Sequence, residues 1–225
     1  MPSLETDRPL LAFIGGTGPE GRGLALRFAA AGYSVVLGSR SAERAEGAAR
    51  EIAGAARGAN VEGRSNDMAA GQGDIAILTI PYAGLQDTLP PLAGALRGKI
   101  VVSAVAPVEF QEGRPVALRV DAGSAAQEVA QLLPDSRVVS AFQTVDAHQL
   151  GDLSVRPDTD VIVCSDDQDA RREIVRLAND LEGVRGLSGG RLAASRYVEE
   201  VTALLITLNR IYKTHSGVHF TGIDR

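Results

Sequence analysis

The chain reads as an α/β protein: a doubly wound, mostly parallel sheet with a smaller α/β part at its C-terminal end. Three observations predict this. Short apolar runs alternate with helical patterns along the sequence, the signature of strand–helix–strand units and a parallel sheet. A glycine-rich turn, Gly16-Thr17-Gly18-Pro19-Glu20-Gly21, follows the first apolar run and opens the first helical pattern. Among 225 residues, 33 Ala and 25 Gly supply small side chains, which let helices and turns pack closely.

Residues 10–15 form the first strand, and a helix over 20–31 stops at Gly32, as glycine commonly ends helices. A second strand covers 33–37, and a long alanine-rich helix covers 41–57. A weak strand lies near 60–64, with a short helix near Met68. The run Asp74-Ile-Ala-Ile-Leu-Thr-Ile80, ended by Pro81, is the clearest buried strand. The helical pattern over 83–96 is interrupted by Pro90 and Pro91. Each proline removes a hydrogen bond and clashes with the preceding turn, so a turn and a new helix start near Pro90. Residues 99–103 form another strand, and 104–123 carry no clear pattern. Ser124-Ala-Ala-Gln127 is a capping box opening a helix to Leu133. A strand over 137–141 is expected to be the last of the sheet.

After a polar stretch at 149–158 the pattern restarts with a strand over 160–164. Asp167 caps a helix whose apolar stripe is Ile174, Leu177, Leu181 and Val184. The last helix, 192–212, places Val198, Val201, Leu205, Leu208 and Tyr212 on one face. So wide a stripe in so small a part predicts a homodimer.

The formal net charge is −5, which sets nucleic acid aside as a partner, since proteins that grip it carry a basic excess. No apolar run approaches the 18 residues that suggest a membrane span. The start, Met1 to Pro9, carries Glu5 and Asp7 and lacks the basic region of a secretory signal. The sole cysteine, Cys164, cannot form an internal disulfide and reads as a small core residue. A cytoplasmic setting follows by default. His215 and His219 are four apart, but Gly217 between them argues against a helix, and two ligands do not make a zinc site; no metal is expected. His148 reads as a surface-loop histidine, and Asp166, Asp167 and Asp169 as charge at a helix N-terminus.

The glycine-rich turn fits G-x-G-x-x-G in the right context, between a strand and a helix. Gly16 allows the tight turn, Gly18 lets backbone approach a pyrophosphate, and Gly21 permits close helix–strand packing. The helix N-terminus favours the phosphate charge. The end of the second strand tells which dinucleotide. An NAD protein carries a carboxylate there for the ribose 2′-OH, but this chain runs Val35-Val36-Leu37-Gly38-Ser39-Arg40-Ser41. Arg40 can stack on adenine and bind a 2′-phosphate, Ser39 can donate a hydroxyl bond, and Arg44 adds charge one turn on. The same residues also suit a plain helix start with Ser39 or Ser41 as N-cap. The cofactor is read as NADP, held by residues 1–150 as a Rossmann domain, with residues 151–225 as a small domain closing a substrate cleft.

Gly15-Gly-Thr-Gly-Pro-Glu-Gly-Arg-Gly-Leu-Ala25 followed by Val36-Leu-Gly-Ser-Arg40 resembles the NADPH-dependent reductases of the deazaflavin coenzyme F420. Further blocks are similar: Ile77-Leu-Thr-Ile-Pro81, Lys99-Ile-Val-Val-Ser103 with Pro107-Val108, Val138-Val-Ser-Ala141, and the last helix from Ser195-Arg196 through Glu199 and Thr202 to Asn209. The resemblance implies hydride transfer between nicotinamide and deazaflavin, with F420 as second substrate and no nucleophile or metal. It implies that Thr17, Ser39 and Arg40 hold the 2′-phosphate end, that Ile80 and Pro81 lie along the cofactor, and that the Ala147 backbone meets the nicotinamide carboxamide. Gln143, Val145, Arg196 and Thr202 match positions around the deazaflavin. Gln143, Asp146 and Glu200 depart from the family's pattern, which keeps two rivals in view: reduction of another acceptor (a flavin, a metal chelate, a small carbonyl or imine), or a non-catalytic NADP-binding redox sensor. From Val184 onward six Arg/Lys face three Asp/Glu, so the C-terminal part could attract an anionic small-molecule substrate.

Overall fold

The computed structural model describes residues 8–223; Glu5 and Asp7 lie outside the described residues. The first half alternates as expected: β1 (Leu11–Ile14), α1 (Pro19–Ala30), β2 (Val35–Ser39), α2 (Ala42–Ala55), β3 (Val61–Ser65), α3 (Asn66–Gln72) and β4 (Ile75–Leu78). Pro90 and Pro91 do break the next helical stretch, into α4 (Leu85–Thr88), a 3-10 turn at Pro90–Leu92, and α5 (Ala93–Leu96). Then come β5 (Ile100–Ser103), β6 (Val108–Gln111), β7 (Arg114–Ala117), α6 (Ala125–Leu132), β8 (Arg137–Ser140), α7 (Ala147–Leu150), β9 (Thr159–Cys164), α8 (Gln168–Asn179), β10 (Val184–Gly190) and α9 (Ser195–Tyr212).

Eight strands form one sheet in the order β10-β9-β8-β5-β4-β1-β2-β3. All pairs are parallel except β8 with β9, which meet antiparallel at Ser140 and Cys164. The expectation that residues 137–141 end the sheet is corrected: β9 and β10 extend it. Chain order runs outward from β1 in both directions, so the sheet has its switch point between β1 and β4, where open α/β sheets bind ligands. Alternation along each strand sends Leu11 and Phe13 to one face and Ala12 and Ile14 to the other, and both faces are covered. That is why the central strands are apolar throughout rather than alternating. Val161, Val163, Ile174 and Leu177 join the same core as Phe13 and Phe28, so the C-terminal part shares the face of α1.

Three strands escaped the sequence pattern. β6 and β7 pair as a hairpin turned at Glu112 (φ 48°) and Gly113 (φ 76°); a two-residue turn with positive φ favours glycine, and Glu112-Gly113 was the available signal. β10 contains Gly186, Gly189 and Gly190, which dilute any strand pattern. The inward face of α9 also differs from expectation. Its buried residues are Ser195, Glu199, Ala203 and Leu205, whereas Tyr212 is 71% exposed. The cause is α6, whose N-terminus α9 packs against through Glu199.

The tail is anchored without being helical. Asp160, wholly buried, pairs with Arg185 through two bonds (2.8 and 2.6 Å) and accepts from Phe220 N–H at 2.6 Å. These partners hold its carboxyl below the usual range, against the opposing effect of burial. Cys164 lies fully buried in β9, and burial pushes its thiol up to about 11, as suits a core residue.

Candidate functional site

The glycine-rich turn sits at the switch point. After β1 the chain turns through Gly15 (φ 74°), whose N–H donates to Asn66 Oδ1 at 3.1 Å. Gly16 N–H donates to Gly38 O at 2.9 Å. A Cβ at Gly16 would stand 2.7 Å from side chains of Leu37 and Phe13, and one at Gly21 would stand 2.7 Å from Gly16 Cα. Packing alone therefore requires both glycines. Gly18 is different: a Cβ there would meet nothing nearer than Gly15 O at 4.0 Å. The protein does not need a glycine at that point, so the bare backbone faces open space at the N-terminus of α1. That is the arrangement an approaching phosphate requires. Thr17 lies half-buried between the two. Ile80 stands against the turn, since a Cβ at Gly15 would fall 2.3 Å from Ile80 Cγ2; Pro81 follows it, exposed.

At the end of β2, Ser41 Oγ accepts from Arg44 N–H at 3.3 Å and is the N-cap of α2. Ser39, buried, accepts from Ser41 N–H at 3.2 Å. With the capping role filled by Ser41, Ser39 and Arg40 are left at the strand's C-terminal end. Arg40 and Arg44 are exposed and enter no ion pair among the described residues. No carboxylate occupies the strand end.

A second group of the expected site residues is assembled from distant segments. After β8, Phe142 adopts a left-handed backbone (φ 74°) that is uncommon for a bulky residue. Its ring is buried edge-on against Phe28, with centroids 5.8 Å apart, and this turn delivers Gln143–Val145. Gln143 is 5% exposed; its Nε2 donates to Ser140 Oγ at 2.7 Å, while its Oε1 has no partner. Thr202 Oγ1, on α9, donates to Gln143 O at 3.0 Å. Gln143, Val145, Ala147 and Thr202 line one cavity of about 240 Å³ together with Glu20 and Asn209. Arg196 is not among them. It is exposed and lines a separate cavity of about 570 Å³ beside Arg119, Glu199 and Glu200, because six residues of helix carry it about 9 Å from Thr202.

Two anchoring features could not be read from the sequence. Asp146 caps α7, accepting from His148 N–H (2.9 Å) and Gln149 N–H (3.0 Å). Arg27, buried in the last turn of α1, donates to the carbonyls of Gln149, Leu150, Asp152 and Val155 at 2.5–3.1 Å. This clamp fixes the segment carrying Ala147 against α1, and Gly23 allows the approach, since a Cβ there would lie 2.6 Å from Leu150 Cβ. Glu20 occupies a variable position of the glycine motif. Its Oε1 is buried without a partner, and burial pushes its carboxyl up to about 8.

His215 and His219 part company. His215 Nδ1 lies 3.2 Å from Asp146 Oδ2, and its ring stacks on His148 at 4.3 Å and 14°; His219 faces Asp160 at 3.6 Å. Ligand-type atoms of Asp146, His148 and His215 lie within 4.8 Å of one another. Stacked imidazoles direct their lone pairs in parallel planes rather than toward one ion, and Asp146 already serves as a cap.

A family model described as NADP oxidoreductase, coenzyme F420-dependent, matches residues 10–107. The F420-dependent NADP reductase of Methanocaldococcus jannaschii is 39% identical over 95% of this chain and 99% of that protein. The chain belongs to the coenzyme F420-dependent NADP oxidoreductase family. A second member, from Methanothermobacter thermautotrophicus, is 38% identical over 95% of each chain. A crystal structure of an Arthrobacter sp. FB24 protein superposes with a TM-score of 0.78 at 24% identity, covering 96% of this chain and 99% of that one, which supports the fold. The turn and the β2 terminus fit this family's dinucleotide in residue type: bare backbone at a helix N-terminus for the pyrophosphate, and a serine and an arginine where an NAD protein carries an acid. No helix among the described residues is long and apolar enough to cross a membrane.

Proposed function

We propose that this chain transfers a hydride between NADP(H) and the deazaflavin coenzyme F420. The observation that carries the proposal is the pairing of a phosphate-ready N-terminus of α1 with an acid-free, arginine-bearing end of β2, in a member of this family. When both are bound, the nicotinamide and deazaflavin rings supply the hydride chemistry. The chain's own part is to bind and orient. Gly16, Thr17 and Gly18 present backbone to the pyrophosphate, Gly21 lets α1 close on the sheet, and Ser39, Arg40 and Arg44 bind the 2′-phosphate. Ile80 and Pro81 flank the cofactor, Ala147 positions the carboxamide, and Gln143, Val145 and Thr202 bound the space for the second ring. Arg196 in its neighbouring cavity is suited to the anionic tail of that substrate, with Glu200 opposing it. Residues 151–225 close this end of the cleft through α9 and the tail. Stacking two flat rings at near-attack distance with little water needs positioning rather than a nucleophile. The test is to mix the protein with NADPH and oxidised F420: bleaching of the deazaflavin visible band is expected. Bound cofactor without bleaching would leave a different acceptor or the sensor reading.

The acidic charge balance and the single buried cysteine fit a cytoplasmic enzyme of small molecules. Tyr197, Leu204 and Ile211, seven residues apart on α9, form an exposed stripe at 56–64% exposure. Heptad spacing of apolar residues suits a second helix, and a second copy of this chain is the proposed partner; sedimentation at one chain's mass would refute it.

A further inference from the structure

Two buried acceptors without partners, Glu20 Oε1 and Gln143 Oε1, line the same cavity. Unsatisfied buried acceptors are costly and call for an explanation. They come from different elements, one at the start of α1 and one after β8. A ligand that filled both needs would bring an N–H for one. For the other, the carboxyl has to contribute its own proton, because a second acceptor on the ligand would otherwise face a carboxylate. The chemical group that offers one N–H and one C=O side by side is an amide or imide edge. Gln143 Oε1 accepts its N–H, and the Glu20 carboxyl donates to its C=O.

We propose that Glu20 and Gln143 form a pair that reads the amide or imide edge of the bound ring, with Glu20 acting as a neutral carboxylic acid. The inference rests on the NADP–deazaflavin reading above, and two ring edges carry this chemistry: the nicotinamide carboxamide and the pyrimidine-dione edge of the deazaflavin. The surroundings support a neutral Glu20. Burial raises its carboxyl to about 8, and its other cavity neighbours on α9 are Thr202, Leu205, Ile206 and Asn209, none charged. Asp146, from the loop before α7, is the other ionisable group in the lining; its oxygens are engaged by His148 N–H, Gln149 N–H, Asn209 and His215. His148 on α7 and His215 in the tail stack on each other beside it. Arg22, on α1 itself, is turned away to Glu51. Ionisation of Glu20 removes the donor and sets a negative charge beside an anionic ligand.

Affinity, not turnover, tests this. Dissociation constants of NADPH and of F420 are measured separately between pH 7 and 9 by calorimetry, for wild type and Glu20→Gln. For a carboxyl ionising near 8, the neutral fraction falls about tenfold by pH 9, so Kd for the ligand that the pair reads rises about tenfold in wild type. In Glu20→Gln the ratio of Kd at pH 9 to that at pH 7 drops to about one. A rise with NADPH assigns the carboxamide, and the 3-acetylpyridine analogue of NADP, which keeps the carbonyl and lacks the N–H, then binds more weakly to wild type. A rise with F420 assigns the imide edge. Equal pH profiles in wild type and Glu20→Gln, for both ligands, overturn the inference while leaving the proposed function standing. Failure of both ligands to bind wild type at pH 7 overturns the function and the inference with it. If Glu20→Gln does not fold, Gln143→Leu carries the test: a loss of about tenfold for the assigned ligand supports the pair, and unchanged affinity for both ligands overturns it.

Discussion

The two ends of the cleft are built by different means. The end proposed for the adenosine is made of contiguous chain: Gly15 to Gly21 in one turn, Ser39 and Arg40 in another, each placed by the strand before it and the helix after it. The end proposed for the rings gathers Glu20 from α1, Gln143 to Ala147 from beyond β8, and Thr202 and Asn209 from α9, residues up to 189 positions apart in the sequence. Its geometry depends on long-range clamps, and those can be removed without touching the adenosine end.

The largest effect is expected from breaking the clamp. Arg27→Met leaves the carbonyls of Gln149, Leu150, Asp152 and Val155 without their shared donor. Each lost bond is worth about 1 kcal/mol and solvent can replace part of the set, so the folded state loses about 3 kcal/mol. Thermal unfolding followed by calorimetry should show it, with faster amide exchange confined to residues 147–155. The nicotinamide end of the cofactor should lose affinity, while 2′-phospho-AMP, which reaches only the adenosine end, binds as before. Equal losses for both ligands would show that the two ends are not separable.

The converse change is Arg40→Glu. An arginine–phosphate bond is worth about 1.5–3 kcal/mol, and reversing the charge adds repulsion. NADPH affinity should fall at least about thirtyfold, close to 2 kcal/mol, with NADH affected little. Stability should hardly change, because Arg40 is exposed and the α2 cap belongs to Ser41. Should NADH bind wild type as tightly as NADPH, the adenosine end would not be selecting for a phosphate at all.

This difference explains what the sequence could and could not say. Gly16 and Gly21 were legible because packing excludes a Cβ at both, whereas Ser39 and Arg40 stand out by residue type alone, as what a 2′-phosphate at a strand end would need. Pro90 and Pro91 announced their break for the same local reason. Phe142 was not legible: nothing in its side chain signals a left-handed backbone, which is imposed by burying its ring against Phe28. Arg27 looked like any helix arginine until the segment 122–128 positions later came to rest on it. Glu20 was hidden inside a motif that specifies only glycines. β9 was placed outside the sheet because the antiparallel step from β8 to β9 breaks the parallel rhythm, and β10 was missed because Val184 fitted the stripe of the preceding helix and three glycines dilute the strand pattern.

The smallest effect falls on the apo protein and bears on Glu20 directly. In the unfolded chain its carboxyl titrates near its ordinary 4.5, and in the folded protein near 8. Between those values the folded state holds a proton that the unfolded state has released, so unfolding is favoured progressively as pH rises through that window. Glu20 therefore contributes a stability that is complete below about 4.5 and lost by about 8. Glu20→Gln removes this dependence. The stability difference, variant minus wild type, should grow from pH 5 to pH 8 and then level. The helix N-terminus favours the charged form, so its size should be about 1–2 kcal/mol rather than the full value of the shift. Glu199, pushed by burial up to about 7 against two N–H bonds from α6, contributes a slope of the same sign. It is common to both proteins and cancels in the difference. Denaturant unfolding at fixed temperature across that pH range measures the curve. A flat difference would mean that Glu20 is already ionised in the folded protein, and that the ring end, like the adenosine end, is governed by its local helix terminus rather than by burial.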